Sequence, residues 1–235
     1  DSSFREVISS QFDRDGDGVI TADEIVTITY VDATTFKHDI TSIQGIEFFT
    51  SMTSLRCTNN KITSMDLSKN TALTTLNCGQ NRLTNLDLSS NTALTTVICS
   101  SNRSLTSINV SGCTELTSLD ARYCTLVSLD VTNNTKLQTL LCSQNALQSL
   151  DVTKNSELIE LDCSNMQLPS LDVTQNTKLQ ILTAYNNNFE DTNDLNLTYN
   201  TELVRMDINH TKLREIDLSH NTKLENLKCD GEYMT

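Results

Sequence analysis

The residues best suited to chemistry stand together near the start, in DRDGDGVITADE, residues 13–24. Carboxylates fill the first, third, fifth and twelfth places of this stretch: Asp13, Asp15, Asp17 and Glu24. Val19, seventh, offers its backbone carbonyl. Thr21, ninth, offers a hydroxyl of the kind often used through a water. Gly18 falls sixth, where the chain must turn sharply, and Ile20 falls eighth, where an apolar side chain packs inward. An oxygen-only donor set at this spacing is what a hard divalent cation takes. The spacing points to one Ca²⁺, with Glu24 clasping it through both oxygens. The alternative is a solvated acidic turn.

No other constellation carries chemistry. The three histidines, His38, His210 and His220, have no cysteine or carboxylate at ligand spacing. HExxH, GxSxG, phosphate-binding glycine loops and paired CxxC motifs are absent, so the expected function is not enzymatic. Seventeen basic residues against thirty acidic ones leave a formal charge of −13. That excludes a nucleic acid or an anionic membrane as partner, since nothing would offset phosphate repulsion. No run of eighteen apolar residues exists, so no transmembrane segment is expected. The chain begins at Asp1 and not Met, which leaves room for a removed signal peptide or anchor and says nothing about export.

What must position the loop is a repeat. TALTTLNCGQNRLTNLDLSSN, residues 71–91, has relatives such as TKLQTLLCSQNALQSLDVTKN along the chain. One leucine recurs at Leu73, Leu94, Leu116, Leu137, Leu158, Leu179, Leu203 and Leu224, in steps of 21, 22, 21, 21, 21, 24 and 21. A second apolar row follows three residues later, from Leu76 to Leu227. A unit this short buries its leucines only by stacking on its neighbours, and the stack is a solenoid. Leu-x-Cys reads as a short strand, with Leu76 and Cys78 inward and Thr75, Asn77 and Gly79 outward. Coils side by side then form a parallel sheet with strands about 4.8 Å apart. A 21-residue coil has no room for a long return helix, so the other side should be extended or tightly turned.

The cysteines fit the same scheme. The inward slot holds Cys57, Cys78, Cys99, Ala121, Cys142, Cys163, Ala184, Ile208 and Cys229. It asks for a small apolar group, which free cysteine supplies. Facing residues on in-register parallel strands suit the disulfide dihedral poorly, so free thiols are expected. Cys113 and Cys124 stand in asparagine positions instead, and whether these two are paired is left open by the sequence. Asn70, Asn91, Asn134, Asn155, Asn176, Asn200 and Asn221 form a row expected to bond backbone groups at the turns. Asp66, Asp87, Asp130, Asp151, Asp172 and Asp217 form another, read as solvated turn caps.

The pattern LxxLxLxxNxL, with Cys in the third apolar slot, resembles leucine-rich repeats. It is most similar to the short cysteine-ladder class of internalin J-like bacterial surface proteins. The resemblance covers roughly residues 40–232, and residues 39–55 look like a degenerate first coil. It implies a mostly β solenoid with a parallel sheet on the concave side and a secreted or surface-displayed protein. The opening loop resembles EF-hands and dockerin loops, although only one is present. FREVISSQF, residues 4–12, reads as an entering helix, and EIVTITYV turns β-rich after one helical turn. The resulting division is a calcium-bound cap over 1–38 and a solenoid over 39–235, with about nine coils and the last one partial. Arrays need polar caps, and a calcium-pinned helix would cover the first coil.

The function then rests on a surface. One outward row reads Arg56, Asn77, Ile98, Asp120, Leu141, Asp162, Thr183, Asp207, Lys228. The next reads Thr58, Gly79, Ser100, Arg122, Ser143, Ser164, Tyr185, Asn209, Asp230. These rows change from coil to coil, as a recognition face does. Asp120, Arg122, Leu141, Asp162 and Tyr185 are the most varied patch, mixing charge, aromatic and exposed apolar groups. The expected partner is a protein or glycoprotein. Two alternatives remain, a spacer or stalk within a larger surface protein and a calcium-dependent docking module. A last strand left open invites pairing, so either more sequence follows Cys229 or two copies meet there as a dimer.

Overall fold

The computed structural model describes residues 1–34 and 39–230. His38 and the boundary between cap and solenoid fall beside or within the segment 35–38, outside the described residues, as do the last five positions. The chain opens with α1 (Ser2–Phe12), whose N-terminus is capped by the Asp1 carboxylate accepting from the Ser3 and Phe4 amides. A single turn, α2 (Ala22–Ile25), leads into β1 (Tyr30–Asp32). After a one-turn 3₁₀ helix, Ile46–Phe48, the coils begin.

Each coil contributes one three-residue strand to the main sheet. These are β2 (Ser54–Arg56), β3 (Thr75–Asn77), β5 (Thr96–Ile98), β7 (Ser118–Asp120), β8 (Thr139–Leu141), β9 (Glu160–Asp162), β10 (Ile181–Thr183), β11 (Arg205–Asp207) and β12 (Asn226–Lys228). With β1 they make a ten-stranded sheet in which strands pair in chain order, all parallel and in register, so Leu55, Leu76, Val97 and Leu119 face one another in succession. The solenoid expected from the repeat is therefore present, with about nine coils. On the return side, β4 (Asn85–Asp87) and β6 (Ser107–Asn109) form the only other ladder among the described residues.

A coil buries its apolar set almost completely. Leu73, Leu76, Cys78, Leu83, Leu86 and Leu88 are all within 1% of full burial. One continuous core runs from Phe4 in the cap to Leu213. The cap joins it through Phe4 and Ile8, through the Phe12–Phe49 ring pair with centroids 6.0 Å apart, and through Gln11 Nε2, which donates to the Asp32 carbonyl. The other Asp1 oxygen accepts from the Thr41 amide, tying the start of α1 to the first coil.

The eight cysteines are free thiols. Burial pushes Cys57 up to about 12 and Cys78, Cys99 and Cys142 well above the ordinary thiol value, so these sulfurs are protonated packing groups rather than nucleophiles. Cys113 and Cys124 are not a pair: each donates its S–H to a backbone carbonyl of the preceding coil, Leu88 and Cys99.

Two asparagine ladders tie the coils. In the expected one, Asn155 Nδ2 donates to the Val131 and Asn134 carbonyls, and Asn91, Asn134, Asn176, Asn200 and Asn221 repeat the pattern. The second holds Asn60, Asn81, Asn102, Asn145 and Asn187. There the side-chain amide donates to buried carbonyls, and Oδ1 accepts from an amide of the preceding coil, as Asn81 does from Ile62. The aspartate row caps turns as expected: Asp66 accepts from the Ser68 amide and Asp151 from the Thr153 hydroxyl and amide. These bonds hold both carboxylates below the usual range.

Candidate functional site

Two regions were expected to act, the opening loop and the outward face of the sheet. In the loop, Gly16 and Gly18 take positive φ, 74° and 79°, and fold the chain around Asp13. Asp13 Oδ1 accepts from the Gly16 amide at 2.7 Å and Oδ2 from the Gly18 amide at 3.0 Å. Asp15 accepts from the Asp17 amide, and Asp17 from the Val19 amide at 2.7 Å. These bonds bring one oxygen each of Asp13, Asp15 and Asp17 within 4.8 Å of one another. Glu24 is turned to the ends of the loop instead. Its Oε1 accepts from the Arg14 amide at 2.8 Å, and its Oε2 from the Thr21 amide at 2.8 Å and the Thr21 hydroxyl at 2.9 Å. The Thr21 amide first, then that of Arg14, lowers the Glu24 pKa, so it is ionised although only 8% exposed. Three converging carboxylates repel one another unless a cation lies between them. The donor set is all oxygen and fits a hard divalent cation, and Glu24 is not among the converging carboxylates.

On the sheet, register puts Asp120, Leu141 and Asp162 in one line across β7, β8 and β9. Arg122 lies two residues beyond Asp120 and holds it bidentately, Nε to Oδ1 and Nη2 to Oδ2, both at 2.9 Å. That bond is the main reason the guanidinium pKa is raised. Asp162 accepts from the Ser143 hydroxyl through Oδ2 and from the Ser164 hydroxyl through Oδ1, both at 2.7 Å. Tyr185 lies in the row of Arg122, with Ser143 and Ser164 between them, and is half-buried.

This arrangement corrects part of the sequence reading. Leu141 is half-buried, not exposed, because neighbouring strands about 4.8 Å away flank it on both sides. Gly79, Ser143 and Ser164, read as outward, are buried. A Cβ at Gly79 would stand 3.1 Å from the Ser100 carbonyl oxygen, so the second row sits against the next coil. Asp120 and Arg122 are one ion pair, and Asp162 is held by buried hydroxyls. The polar members of the patch form two units, the Asp120–Arg122 pair within one coil and the Ser143–Asp162–Ser164 bonds across two.

One exposed feature gave no sequence signal. Phe48, Val19 and Val26, 68%, 58% and 57% exposed, stand at the cap end, where the degenerate coil has no period to reveal which side chains face out.

No protein-family model matches the chain. Internalin J of Listeria monocytogenes serotype 4b (strain F2365) is 37% identical over 71 residues, 30% of this chain and 8% of that protein. The solved functional domain of InlJ from Listeria monocytogenes, which includes a cysteine ladder, superposes with a TM-score of 0.81 at 38% identity, over 91% of this chain and 48% of that one. The internalin InlF of the same species superposes with a TM-score of 0.72 at 22% identity, over 98% of this chain and 76% of that one. The chain thus spans about half the solved internalin J domain and a small part of the full-length protein. Among the described residues no helix is long and apolar enough to cross a membrane. The likeness to the InlJ domain extends over nine-tenths of the chain, so the two share a leucine-rich repeat solenoid, and in this chain the inward cysteines from Cys57 to Cys163 lie buried along it.

Proposed function

We propose that the chain is a non-catalytic recognition protein, secreted or displayed on the bacterial surface, that offers its parallel sheet to a protein or glycoprotein partner. One Ca²⁺, held by Asp13, Asp15, Asp17, the Val19 carbonyl, Thr21 and Glu24, steadies the cap and leaves the sheet to bind. The observation that carries this reading is the contrast between the two sides of each strand. Inward positions repeat from coil to coil, while Arg56, Asn77, Ile98, Asp120, Leu141 and Asp162 change at every step. A spacer needs no such varied face. The Asp120–Arg122 pair and the Ser143–Asp162–Ser164 network add preorganised polar groups beside Leu141 and Tyr185. Leucine-rich repeat folds of this kind commonly bind proteins, which supports the same class.

The test is affinity capture from host-surface and bacterial-envelope extracts, with calcium and with chelator. Asp120→Lys with Asp162→Lys is expected to weaken the captured partner at least tenfold. Asp13→Ala with Glu24→Ala should leave it bound. Indifference to the charge reversals would remove the sheet as the site. A partner lost with calcium while the fold survives would move recognition to the loop.

Calcium has its own expected signature. At a hundredfold excess over Kd the ion adds roughly 2.7 kcal/mol to the occupied state, and Kd for such extracellular loops is about 10⁻⁴ to 10⁻³ M. Calcium at about 10 to 100 mM, that hundredfold excess, should raise Tm by several degrees, and Asp13→Ala with Glu24→Ala should abolish the rise. Far-UV circular dichroism of the repeats should not change. A calcium-independent melt in the parent chain would contradict the role.

A further inference from the structure

In the later coils lysine stacks on glutamate. Lys136, Lys178, Lys212 and Lys223 each reach a glutamate of the preceding coil, Glu115, Glu157, Glu190 and Glu202, within 3.2 Å. Opposite charges thus meet at coil spacing. Lys61, Arg82 and Arg103 do the reverse and stack base on base. They directly follow Asn60, Asn81 and Asn102 of the second asparagine ladder, which fixes their alignment. Asn81 Oδ1 accepts from the Ile62 amide, Asn102 Oδ1 accepts from the Leu83 amide, and the Arg82 amide donates to the Ile62 carbonyl. Coils lie about 4.8 Å apart, so three cations stand in file along the solenoid axis. All three are exposed, and among the described residues none makes an ion pair or a side-chain hydrogen bond. The aspartate row also stacks like charges, but Asp66 and Asp151 are spent on their own turns. The three bases are spent on nothing, and their mutual repulsion is relieved only by an anion.

The surroundings select the occupant. Between the strand and the aspartate row these coils carry no carboxylate, over residues 57–65, 78–86 and 99–108. Exposed hydroxyls and amides flank the bases instead, Thr63, Gln80, Thr84 and Ser104 among them. No large apolar side chain is exposed in these three stretches; Tyr123 and Val127, both exposed, belong to the coil after. Asp39 closes the row at the cap end, where the Ile40 amide donates to Asn60. A protein interface is carried by buried apolar anchors, which this flank lacks. A membrane or a nucleic-acid duplex is broad enough to meet the aspartate row as well and is repelled. A single thin chain meets the bases alone, since charges more than about 8 Å away are screened. We infer that Lys61, Arg82 and Arg103 bind an acidic polysaccharide laid along the solenoid axis. Its carboxylate or sulfate groups sit on the three bases, with both guanidinium groups able to grip two oxygens at once. Its hydroxyls meet Thr63, Gln80 and Thr84. The site lies off the outward face of the sheet and is independent of the partner proposed there.

The experiment titrates the full chain with heparin fragments, neutral dextran and polyglutamate at about 0.15 M salt. Two double variants are compared with the parent, Arg82→Gln with Arg103→Gln and Lys136→Gln with Lys178→Gln. Both remove two positive charges, the second pair from lysines already bound to glutamate. The expected result is that heparin binds, dextran does not, and polyglutamate binds at least tenfold more weakly than heparin. Heparin affinity should fall at least tenfold with the arginine pair and stay within threefold with the lysine pair. All four side chains are exposed, so an unchanged Tm shows that the loss is local. Should the arginine pair fail to fold, Lys61→Gln carries the test, with at least a threefold loss expected. No binding of heparin, binding of dextran to the same extent, or equal losses in the two double variants would overturn the inference. Polyglutamate bound as tightly as heparin would assign the row to an acidic protein segment and overturn it equally.

Discussion

Replacing Gly112 with alanine is expected to destabilise the protein by roughly 3 kcal/mol or more and to lower Tm by about ten degrees. A Cβ at this position would stand 1.9 Å from the Ser89 carbonyl oxygen and 2.8 Å from its carbon. Both atoms are backbone, so no side chain can swing aside. The φ of Gly112 is not positive, which means the glycine is required for space and not for conformation. Equivalent turns in other coils carry Lys69, Ser90, Asn133, Lys154 and Gln175 without difficulty. The difference lies in the 22-residue step between Leu94 and Leu116. The return side of that coil is longer by one residue, it pairs with its predecessor through β4 and β6, and its turn closes onto Ser89. Ser90→Ala, one coil earlier, should change stability by less than about 0.5 kcal/mol. Urea unfolding followed by circular dichroism checks both. A loss below about 1 kcal/mol for Gly112→Ala would show that the two turns separate at little cost.

Much of this fold can be read from spacing, and the exceptions have physical causes. The inward rows are legible because burial demands the same size of side chain at every coil. The turn after each strand is not. Asn59, Gln80, Ser101, Tyr123, Gln144, Asn165, Asn186 and His210 all take left-handed φ between 54° and 62°. None is glycine, the residue that would have marked the turn. Because the chain turns there, strict alternation ends after three strand residues. That is why Gly79, Ser143 and Ser164, outward by counting, are buried. The loop was legible as aspartates at fixed spacing, whose oxygens lie within 4.8 Å of one another. The contacts of Glu24 to Arg14 and Thr21 were not, since a capping bond and a metal bond ask for the same residue. The sheet patch was legible as composition only. Whether Asp120 faces a partner or its own Arg122 depends on rotamers that no spacing encodes.

The second large effect is expected at Asn155, where the order of tolerance should be cysteine, then alanine, then aspartate. The Asn155 side chain is fully buried. Its Nδ2 donates to the Val131 carbonyl at 3.0 Å and the Asn134 carbonyl at 2.8 Å, while its Oδ1 has no partner. All the stabilisation therefore comes from the donor side. Asn155→Asp removes both hydrogens and points a buried carboxylate at two carbonyl oxygens, which should cost about 3–5 kcal/mol at pH 7. Repulsion and burial would raise that carboxyl above its unfolded value, near 3.9. The folded state then binds the extra proton more readily, so the penalty is full above the raised pKa and fades as pH falls towards the unfolded one. Asn155→Ala removes two hydrogen bonds but adds no charge, and the Val131 and Asn134 carbonyls keep the backbone N–H groups of Asn134 and Leu137, a cost of roughly 1–3 kcal/mol without that pH dependence. Cysteine should do best because the chain already contains that solution. Cys113 occupies the same row and donates its S–H to the Leu88 carbonyl at 3.3 Å, with no oxygen left unsatisfied. Equilibrium unfolding of the three variants at pH 7 and pH 4 measures the order directly. If aspartate matched alanine at pH 7, water would be reaching the row, and the ladder would owe its strength to packing rather than to the two bonds.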